Sequence, residues 1–208
     1  MEQQSRLETS GPGTVRPGGR TAKVRAAVLE ATRDALAEEG FHALNLDRTA
    51  ARAGVGKTTV YRRWGSATGL VADLLADMAE QSLPATDEGT LEADLRANAA
   101  LVLAALTDPR MGPVFRAVIA AAACSEDCAA ALRRFYATRL AEWAPVVERA
   151  VARGEAPAGT DATEVVRAVS APLYYRFAVS REELDATAAA RAVDVVLAGV
   201  AAGAFTRR

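Results

Sequence analysis

Two short helical segments joined by a glycine-containing turn constrain this chain more than any other feature of its sequence. Asn45 is a favourable N-cap for a first segment over residues 46–53, and Gly54 interrupts that segment. A second segment follows over residues 57–64, and Gly65 closes it. Two short helices separated by such a turn form the helix-turn-helix arrangement. The sequence therefore predicts a small helical unit near the N-terminus.

The residue types of this block divide it into a buried and an exposed face. Ala50, Ala53 and Gly54 are small enough to let the two helices cross closely. The candidate core positions are Leu46, Val55, Val60, Trp64 and Leu70. The opposite face carries Arg48, Arg52, Lys57, Thr58, Thr59, Arg62 and Arg63. Because residues 44–65 hold five basic side chains against one acid, this face suits the major groove of DNA, where arginine can bridge guanine O6 and N7.

The remainder of the chain has the periodicity of helices. Half of the 208 residues are apolar but only 5% are aromatic, and alanine, the best helix former, supplies much of the apolar share. Apolar residues recur at three- and four-residue steps, and the period-2 pattern of strands is absent. We predict an all-α fold of about nine helices. Residues 21–66 would form an N-terminal three-helix domain and residues 67–208 a C-terminal helical domain.

Capping residues and prolines predict several boundaries in the C-terminal part. Thr90 is a candidate N-cap, and Asp161 and Ser180 each precede a glutamate by three residues, as in a capping box. Pro145 and Pro172 fall inside two predicted helices, where each removes a backbone hydrogen-bond donor. We expect a kink or a break at Pro145 and a kink at Pro172.

Charge is distributed unevenly along the chain. Residues 1–70 carry 11 Lys and Arg against 7 Asp and Glu, whereas the remaining 138 residues carry 14 against 19. A basic N-terminal part on an acidic body suggests that the N-terminal part alone meets a polyanion. Residues 1–20 lack any helical period and are predicted to form a flexible basic arm. Arg16, Arg20 and Lys23, at or just ahead of the start of the first helix, would either reach an adjacent minor groove or belong to a solvated segment.

Several classes of protein and site do not fit this sequence. No apolar run of ~18 residues could span a membrane, and residues 1–20 lack the apolar segment of a secretory signal, so we expect a cytoplasmic protein without a membrane partner. Cys124 and Cys128 are the two cysteines and His42 is the single histidine, so no disulfide framework is expected, multi-histidine metal sites are excluded, and too few such residues are present for a structural zinc site with four cysteine or histidine ligands. The cysteines are either small semi-buried residues or a redox pair. No catalytic residue, metal or cofactor is predicted.

An ordered set of residues around the turn matches a known family. These residues are Gly40, Phe41, Ala50, Ala53, Gly54, Val55, Lys57, Thr59, Tyr61, Trp64 and Leu70. With them, residues 22–72 resemble the tetracycline-repressor (TetR) family of transcriptional regulators. Three positions depart from the family pattern: Thr49 replaces a large aliphatic residue, Gly56 a frequent serine cap and Ala67 a frequent lysine. These departures should loosen the small core and remove a cap and a phosphate contact.

The resemblance implies roles for individual residues of the block. Lys57, Thr59 and Tyr61 match positions that touch phosphates or base edges. Asn45 matches the cap of a helix whose N-terminus faces a phosphate. Thr58 and Arg62 lie on the exposed side and are the predicted base contacts. The full set of predicted DNA-binding residues is Asn45, Arg48, Lys57, Thr58, Thr59, Tyr61, Arg62 and Arg63.

The resemblance also implies a role for the rest of the chain. Residues 73–208 would hold a pocket for a small apolar or amphipathic effector, and the last two helices would pair with a second subunit in a homodimer. The candidate ligand contacts are Arg116, Tyr136, Trp143, Tyr174 and Tyr175. The predicted function is that of a ligand-responsive repressor, which binds a near-palindromic double-stranded DNA operator as a dimer and is released by its effector.

Two alternatives come from other functional classes. Ala51, four further residues and Gly56-Lys57-Thr58 form a loosened P-loop, which would make the chain an NTPase. A P-loop needs a preceding strand, whereas residues 46–53 have a helical pattern. A small helical enzyme is the second alternative, with His42, just beyond a helix end, as its one possible histidine base. Tight ATP binding would identify the first alternative.

Overall fold

The computed structural model of the protein describes residues 18–81, 85 and 87–207, and these residues form nine α-helices and no β-strand. The first four helices are α1 (Gly18–Glu39), α2 (Leu46–Arg52), α3 (Lys57–Trp64) and α4 (Ala67–Glu80). The other five are α5 (Leu91–Thr107), α6 (Met111–Ala122), α7 (Glu126–Arg153), α8 (Ala162–Tyr175) and α9 (Ala186–Ala201). A 3-10 turn (Phe41–Ala43) follows α1, and a π-turn (Arg176–Ser180) follows α8. The predicted all-α fold of about nine helices is confirmed.

Side-chain caps start several of these helices where the sequence predicts them. The Asn45 side chain accepts a hydrogen bond from the third backbone amide after it at 2.9 Å, and Thr90 does the same at 3.2 Å. Asp161 accepts from two amides of the first turn of α8, at 3.1 and 3.2 Å. Each cap satisfies amides that have no partner within the helix. These three predicted caps are confirmed.

The predicted cap at Ser180 is wrong. Ser180 ends the π-turn, and α9 begins further along the chain, where the Asp185 side chain accepts from the amide of Ala188 at 2.7 Å. Arg181 follows Ser180 with a left-handed backbone (φ 55°), a conformation that cannot continue into the first turn of a right-handed helix. Asp185 is the next residue able to cap, and the helix starts there.

The boundary predicted for the N-terminal arm also needs correction. The first helix begins at Gly18, so residues 18–20, which were predicted as part of the arm, are helical. Residues 1–17, including Arg16, lie outside the residues that the structure describes. The prediction of a basic arm therefore applies to a segment about which the structure says nothing.

The two helix-internal prolines leave their helices continuous. Pro145 lies inside α7, which runs unbroken along its whole length, so a break at this position is excluded. Both Pro145 and Ala141, whose carbonyl loses its usual partner, are exposed, and water can hydrogen-bond to that carbonyl. Pro172 lies inside α8, which ends at Tyr175 and passes into the π-turn.

Helix α4 connects the N-terminal helices to the C-terminal ones. It packs against α1 and α3 on one side and along α7 on the other, while α1 also contacts α6. The C-terminal helices pack α7 on α8, α8 on α9 and α5 on α9. Leu70, Val71, Leu74 and Leu75 of α4 are fully buried, and burying one such side chain stabilises the fold by about 1.5–3 kcal/mol. If α7 moved and α4 did not follow it, apolar surface would become exposed, so we expect the two helices to move together.

Candidate nucleic-acid interface

Glycines set the turn between α2 and α3 and the end of α3. Gly54 has a φ of 64° and Gly65 of 70°, both in the region that favours glycine. The amide of Val55 bonds to the carbonyl of Ala50 at 3.0 Å, which closes the turn. Gly56 precedes α3 and offers no side-chain cap, as its replacement of a serine predicts. Because α2 occupies the stretch before this turn, the strand that a P-loop requires is missing there.

Helix α3 has one face in the core and one in solvent. Val60 is fully buried and Trp64 is 8% exposed, so these two side chains fix the orientation of the helix. Tyr61 on the other face is 50% exposed. The predicted DNA contacts of α3 that are exposed are Lys57, Thr58, Tyr61, Arg62 and Arg63. Thr59 is half-buried, so this residue is less accessible than its exposed neighbours.

The indole of Trp64 joins α3 to α4 and α1 through Asp73. Trp64 Nε1 donates to Asp73 Oδ2 at 2.8 Å, and the Arg25 guanidinium donates to Asp73 Oδ1 at 2.9 Å. Arg25 also donates to Asp77 at 2.8 Å. Burial opposes ionisation of Asp73, but the hydrogen bonds from Arg25 and Trp64 outweigh it and lower the pKa of this carboxyl. Three helices therefore meet at one carboxylate, which the sequence pattern did not predict.

Replacing Asp73 with asparagine is expected to lower the free energy of unfolding by about 1–3 kcal/mol at neutral pH, because Arg25 and Trp64 lose a charged hydrogen-bond acceptor and Arg25 keeps only its contacts with Asp77 and Glu80. The pKa of Asp73 is lower in the folded protein than its ordinary value of 3.8. The stability that ionised Asp73 contributes is therefore complete above pH 3.8 and is lost as the pH falls through the pKa of the folded state. Thermal melts from pH 7 to ~3 should show the wild type losing its advantage over Asp73→Asn. Asp194→Asn, which removes an exposed partner of Arg96, is the control. A difference in melting temperature between the wild type and Asp73→Asn that stays constant at every pH would contradict this role of the Asp73 carboxylate.

Three basic side chains of the predicted surface form ion pairs within the chain. The pairs are Arg48 with Glu39 at 2.6 Å, Arg52 with Glu38 at 2.7 Å and Lys57 with Asp47 at 3.3 Å. All six side chains are between 33% and 65% exposed, so each pair contributes about 0–1 kcal/mol and can be exchanged for another anion. The excess of five bases over one acid in residues 44–65 overstates the free positive charge, because two of the acidic partners come from the preceding helix.

The remaining two arginines of the block, Arg62 and Arg63, form no ion pair among the described residues, although the charge of Arg63 helps to lower the pKa of Asp73. The Arg63 guanidinium lies 5.0 Å from the centroid of the Trp64 ring, in a cation–π contact. Arg62 is exposed and makes no hydrogen bond or ion pair with the described part of the chain. Asn45 is exposed at the start of α2, with its side-chain oxygen engaged in the cap. Arg62 is thus the most available cation of this surface.

A second candidate site lies among the C-terminal helices. Tyr136, Trp143 and Tyr174 line one cavity of about 90 Å³ between α5, α6, α7 and α8. Arg116 does not line it, because this side chain is exposed on α6 and donates to a carbonyl of the π-turn at 3.1 Å. Tyr175 lines a neighbouring groove. The structure therefore brings together three of the five candidate ligand contacts.

Asn98 lines the same cavity from α5 and was not among the predicted residues. It is 3% exposed. The sequence contains a signal for it, since Asn98 lies three residues after Leu95 and four before Val102 within an apolar stripe. A polar side chain at such a position is buried by the fold and requires a hydrogen-bond partner.

Metal-ligating residues do not gather in the part of the chain that the structure describes, where no group of three or more His, Cys, Asp or Glu could hold an ion. Cys124 is exposed in the turn before α7, whereas Cys128 is buried in the first turn of that helix. Burial raises the pKa of the Cys128 thiol, which makes it a poor nucleophile. Among the described helices, none is long and apolar enough to cross a membrane.

Comparisons with known protein families match both parts of this architecture. The family model for "Bacterial regulatory proteins, tetR family" matches residues 28–74, which include α2, α3 and the turn between them. The model for "Tetracyclin repressor-like, C-terminal domain" matches residues 85–196, from the approach to α5 into α9. The two matches together cover the candidate interface and the cavity.

Individual relatives match most of the chain. The regulator YdeS of Bacillus subtilis, an uncharacterized HTH-type transcriptional regulator, is 29% identical over 160 residues, covering 76% of this chain and 80% of its own. The DNA-binding transcriptional repressor TetR of Mycobacteroides abscessus is 32% identical over 176 residues, which cover 83% of this chain and 90% of that protein. The crystal structure of the TetR family transcription regulator SCO0332 has 29% sequence identity and a TM-score of 0.69, and the match covers 86% of this chain and 98% of that chain.

Proposed function

Because this chain belongs to the TetR family of bacterial regulatory proteins, we propose that it is a ligand-responsive repressor that binds a near-palindromic operator as a homodimer. The operator is double-stranded DNA, and α3 of each subunit lies in its major groove. A small apolar or amphipathic effector releases the dimer. In this proposal residues 21–66 are the DNA-binding domain, and residues 67–208 form the regulatory and dimerisation domain.

The observation that carries the proposal is the free positive charge on the exposed face of α3. Arg62 has no partner among the described residues, so its guanidinium is available for a bidentate contact with guanine O6 and N7. Thr58 lies one helical turn earlier on the same face and supplies a second base contact.

The other residues of the predicted set contact the DNA backbone. Lys57 and Arg48 exchange their carboxylate partners for phosphates, since exposed ion pairs cost little to break. Each phosphate that is neutralised releases counterions, which favours binding at low salt. The remaining backbone contacts are Asn45, Thr59, Tyr61 and Arg63.

Helix α4 supports a mechanical connection between effector and DNA. It begins directly after α3 and packs along α7, which carries Tyr136 and Trp143 of the cavity. Arg110, at the start of α6, adds a second connection by donating to Asp34 of α1 at 2.8 Å. An effector that favours one position of α7 shifts α4, and thereby the separation of the two α3 helices. Effector and operator then alter each other's affinity by the same factor, typically by about 1–3 kcal/mol.

Exposed apolar side chains on the last two helices support the dimer. Val195 of α9 is 66% exposed, Tyr175 at the end of α8 is 58% exposed, and Val179 in the π-turn is 66% exposed. Exposed apolar side chains mark an interaction surface where they form a contiguous patch, and in this proposal these three belong to one. A second copy of the chain would cover them, with α8 and α9 of each subunit forming a four-helix contact.

Replacing Val195 with glutamate is expected to weaken the dimer at least tenfold (roughly 1.4 kcal/mol), because each subunit would bury a carboxylate in the interface. Binding to a palindromic duplex should fall further than binding to a single half-site. Sedimentation velocity and mobility-shift titrations measure the two effects. Ala141→Glu, which adds the same charge on the exposed face of α7, is the control. A dimer of unchanged affinity in Val195→Glu would mean that the interface lies elsewhere.

A further inference from the structure

A cleft of about 540 Å³ lies between α1 and α6 and shares no lining residue with the cavity of Tyr136. The end of α1 and the 3-10 turn after it form one wall, and α6 with Arg181, the residue after the π-turn, forms the other. Small-molecule sites in proteins have volumes of about 300–1,000 Å³. Tyr175, Val179 and Val195, which the proposed dimer covers, do not line this cleft. The dimer contact therefore does not use its walls.

The cleft carries positive charge that the fold does not neutralise. Its charged lining residues are Arg116 and Arg181, and no aspartate or glutamate of the described chain lines it. Arg181 is exposed and forms no ion pair with the described residues. The Arg116 guanidinium donates to the carbonyl of Phe177 at 3.1 Å and lies 4.4 Å from the centroid of its ring. A guanidinium has several N–H donors, so this contact leaves others of Arg116 free for an anion.

The carboxylates that flank the cleft in the sequence have partners elsewhere. Glu39, at the end of α1, pairs with Arg48 of α2 at 2.6 Å. Glu182, which follows Arg181, pairs with Arg176 at 3.2 Å. An anion that enters the cleft therefore need not displace either carboxylate.

The backbone at Arg181 is unusual for an arginine. Its φ of 55° lies in the left-handed region, and the other residues of the described chain with a positive φ are glycines. A side chain in this region costs conformational energy that glycine avoids. Residues held in such conformations cluster at ligand-binding and other functional sites. The chain thus has an arginine at the wall of the cleft where a glycine would fit the backbone better.

Most of the other lining residues are apolar. They include Leu36 at the end of α1, Phe41 in the 3-10 turn, and Ala117 and Ala120 of α6. Ala120 is exposed, and Phe41 and Ala117 are half-buried, so apolar surface remains for a ligand to cover. Removing such surface from water favours binding. The cleft therefore suits a molecule that combines an anionic group with an apolar body.

We propose that this cleft binds an organic anion with an apolar body, such as a medium-chain alkyl carboxylate or alkyl phosphate. Arg181 and Arg116 supply the positive charge that holds the anionic group, and the alanine and phenylalanine side chains cover the apolar body. Because the two walls come from α1 and α6, the bound anion connects the N-terminal helices to the C-terminal ones. The inference goes beyond the proposed function, and binding at this site does not depend on that function.

Four probes test the inference on the full chain without DNA: octanoate, octyl phosphate, octanamide and acetate. Calorimetric titration is expected to show octanoate binding about tenfold tighter than octanamide, which has the same chain without the charge. Acetate lacks the apolar body and should also bind about tenfold more weakly than octanoate. The ratio of the affinities for octanoate and octyl phosphate identifies the preferred anionic group.

Two variants test the arginines separately. Arg181→Asn removes the charge and suits the left-handed backbone, and Arg116→Gln removes the charge within α6. Each is expected to lower the affinity for octanoate about tenfold. Arg96→Gln, which removes the same charge from the exposed face of α5, is the control and should bind octanoate like the wild type. Thermal melts verify folding, and Arg181→Asn still tests the inference if losing the contact with Phe177 destabilises Arg116→Gln.

Cys124 reports where octanoate binds. This cysteine is exposed and lines the cleft, whereas Cys128 is buried. Saturating octanoate is expected to slow the alkylation of Cys124 by iodoacetamide severalfold, because the bound anion covers the wall that carries the thiol. Acetate at the same concentration should leave the rate unchanged. Mass spectrometry of the alkylated chain measures both rates.

Several outcomes would overturn the inference. Equal affinity for octanoate and octanamide would mean that the site does not recognise charge, and equal affinity for octanoate and acetate would mean that the apolar walls take no part. Octanoate binding that is unchanged in both arginine variants, or that leaves the alkylation of Cys124 unchanged, would mean that the anion binds elsewhere. If neither octanoate nor octyl phosphate bound, the cleft would not be a ligand site. Duplex binding is measured separately, so its failure would contradict the proposed function alone.

Discussion

Replacing Arg62 and Arg63 together with alanine is expected to weaken duplex binding by roughly 30-fold or more, because a base contact worth about 1–3 kcal/mol is lost in each half-site. Arg62 is exposed without an intramolecular partner among the described residues, and Arg63 lies beside it over the Trp64 ring. Their charges therefore reach DNA without first breaking an ion pair. The logarithm of the affinity should also depend less steeply on the logarithm of the salt concentration, by about 0.9 for each phosphate contact that is lost.

The matched control for this pair removes the same charge far from the interface. Arg133 and Arg134 lie on the exposed face of α7, and their double alanine variant changes the net charge equally. Fluorescence anisotropy at several salt concentrations measures the affinity and the salt dependence for both variants. Equal losses in the two double variants would mean that overall charge, rather than the surface of α3, governs binding.

Replacing Trp64 with alanine is expected to cost about 3–5 kcal/mol of stability, because the side chain is 8% exposed in the core between α3 and α4. The change also removes the hydrogen bond from the indole to Asp73, which measures 2.8 Å. Helix α3 should then detach from α4, and duplex binding should be lost. The C-terminal helices do not contain this contact, so most of the helical content should persist.

Circular dichroism, thermal melting and amide exchange measure this outcome. Amides of α2 and α3 should exchange faster in Trp64→Ala, while those of α8 and α9 keep their protection. Trp64→Phe keeps the aromatic volume and loses the N–H, so it should be destabilised by less, about 1–3 kcal/mol. Normal duplex binding by a fully stable Trp64→Ala protein would contradict the role assigned to this residue.

The helix-turn-helix block could be predicted closely because its signals are local. Asn45 as a cap and Gly54 and Gly65 as turn residues each act within one turn of their own position. The predicted cap at Ser180 is wrong because the backbone after Ser180, and not the local sequence motif, decides where α9 begins. The left-handed Arg181 ends the π-turn, and Asp185 is placed to cap α9 instead. Local patterns cannot choose between two candidate caps when the preceding backbone decides.

The charge pattern of the interface depends on contacts between helices, which a linear count does not contain. Glu38 and Glu39 approach Arg52 and Arg48 because the chain reverses at Gly40 after α1. The Asp73 cluster likewise joins residues from three helices. Asn98 is an intermediate case, since its place in an apolar stripe signals burial, but only the fold brings it to the cavity of Trp143.

The central claim is that α3 of a dimer reads a specific operator, and selection of duplexes from a random-sequence library by the wild-type protein tests it most directly. We predict enrichment of a near-palindromic site whose half-sites are separated by about one helical turn of DNA, or by a variant of that spacing. Repeating the selection with Arg62→Ala should relax the preference at one base pair in each half-site and retain the others. No enrichment by the wild type, or a uniform loss at every position in Arg62→Ala, would contradict the claim.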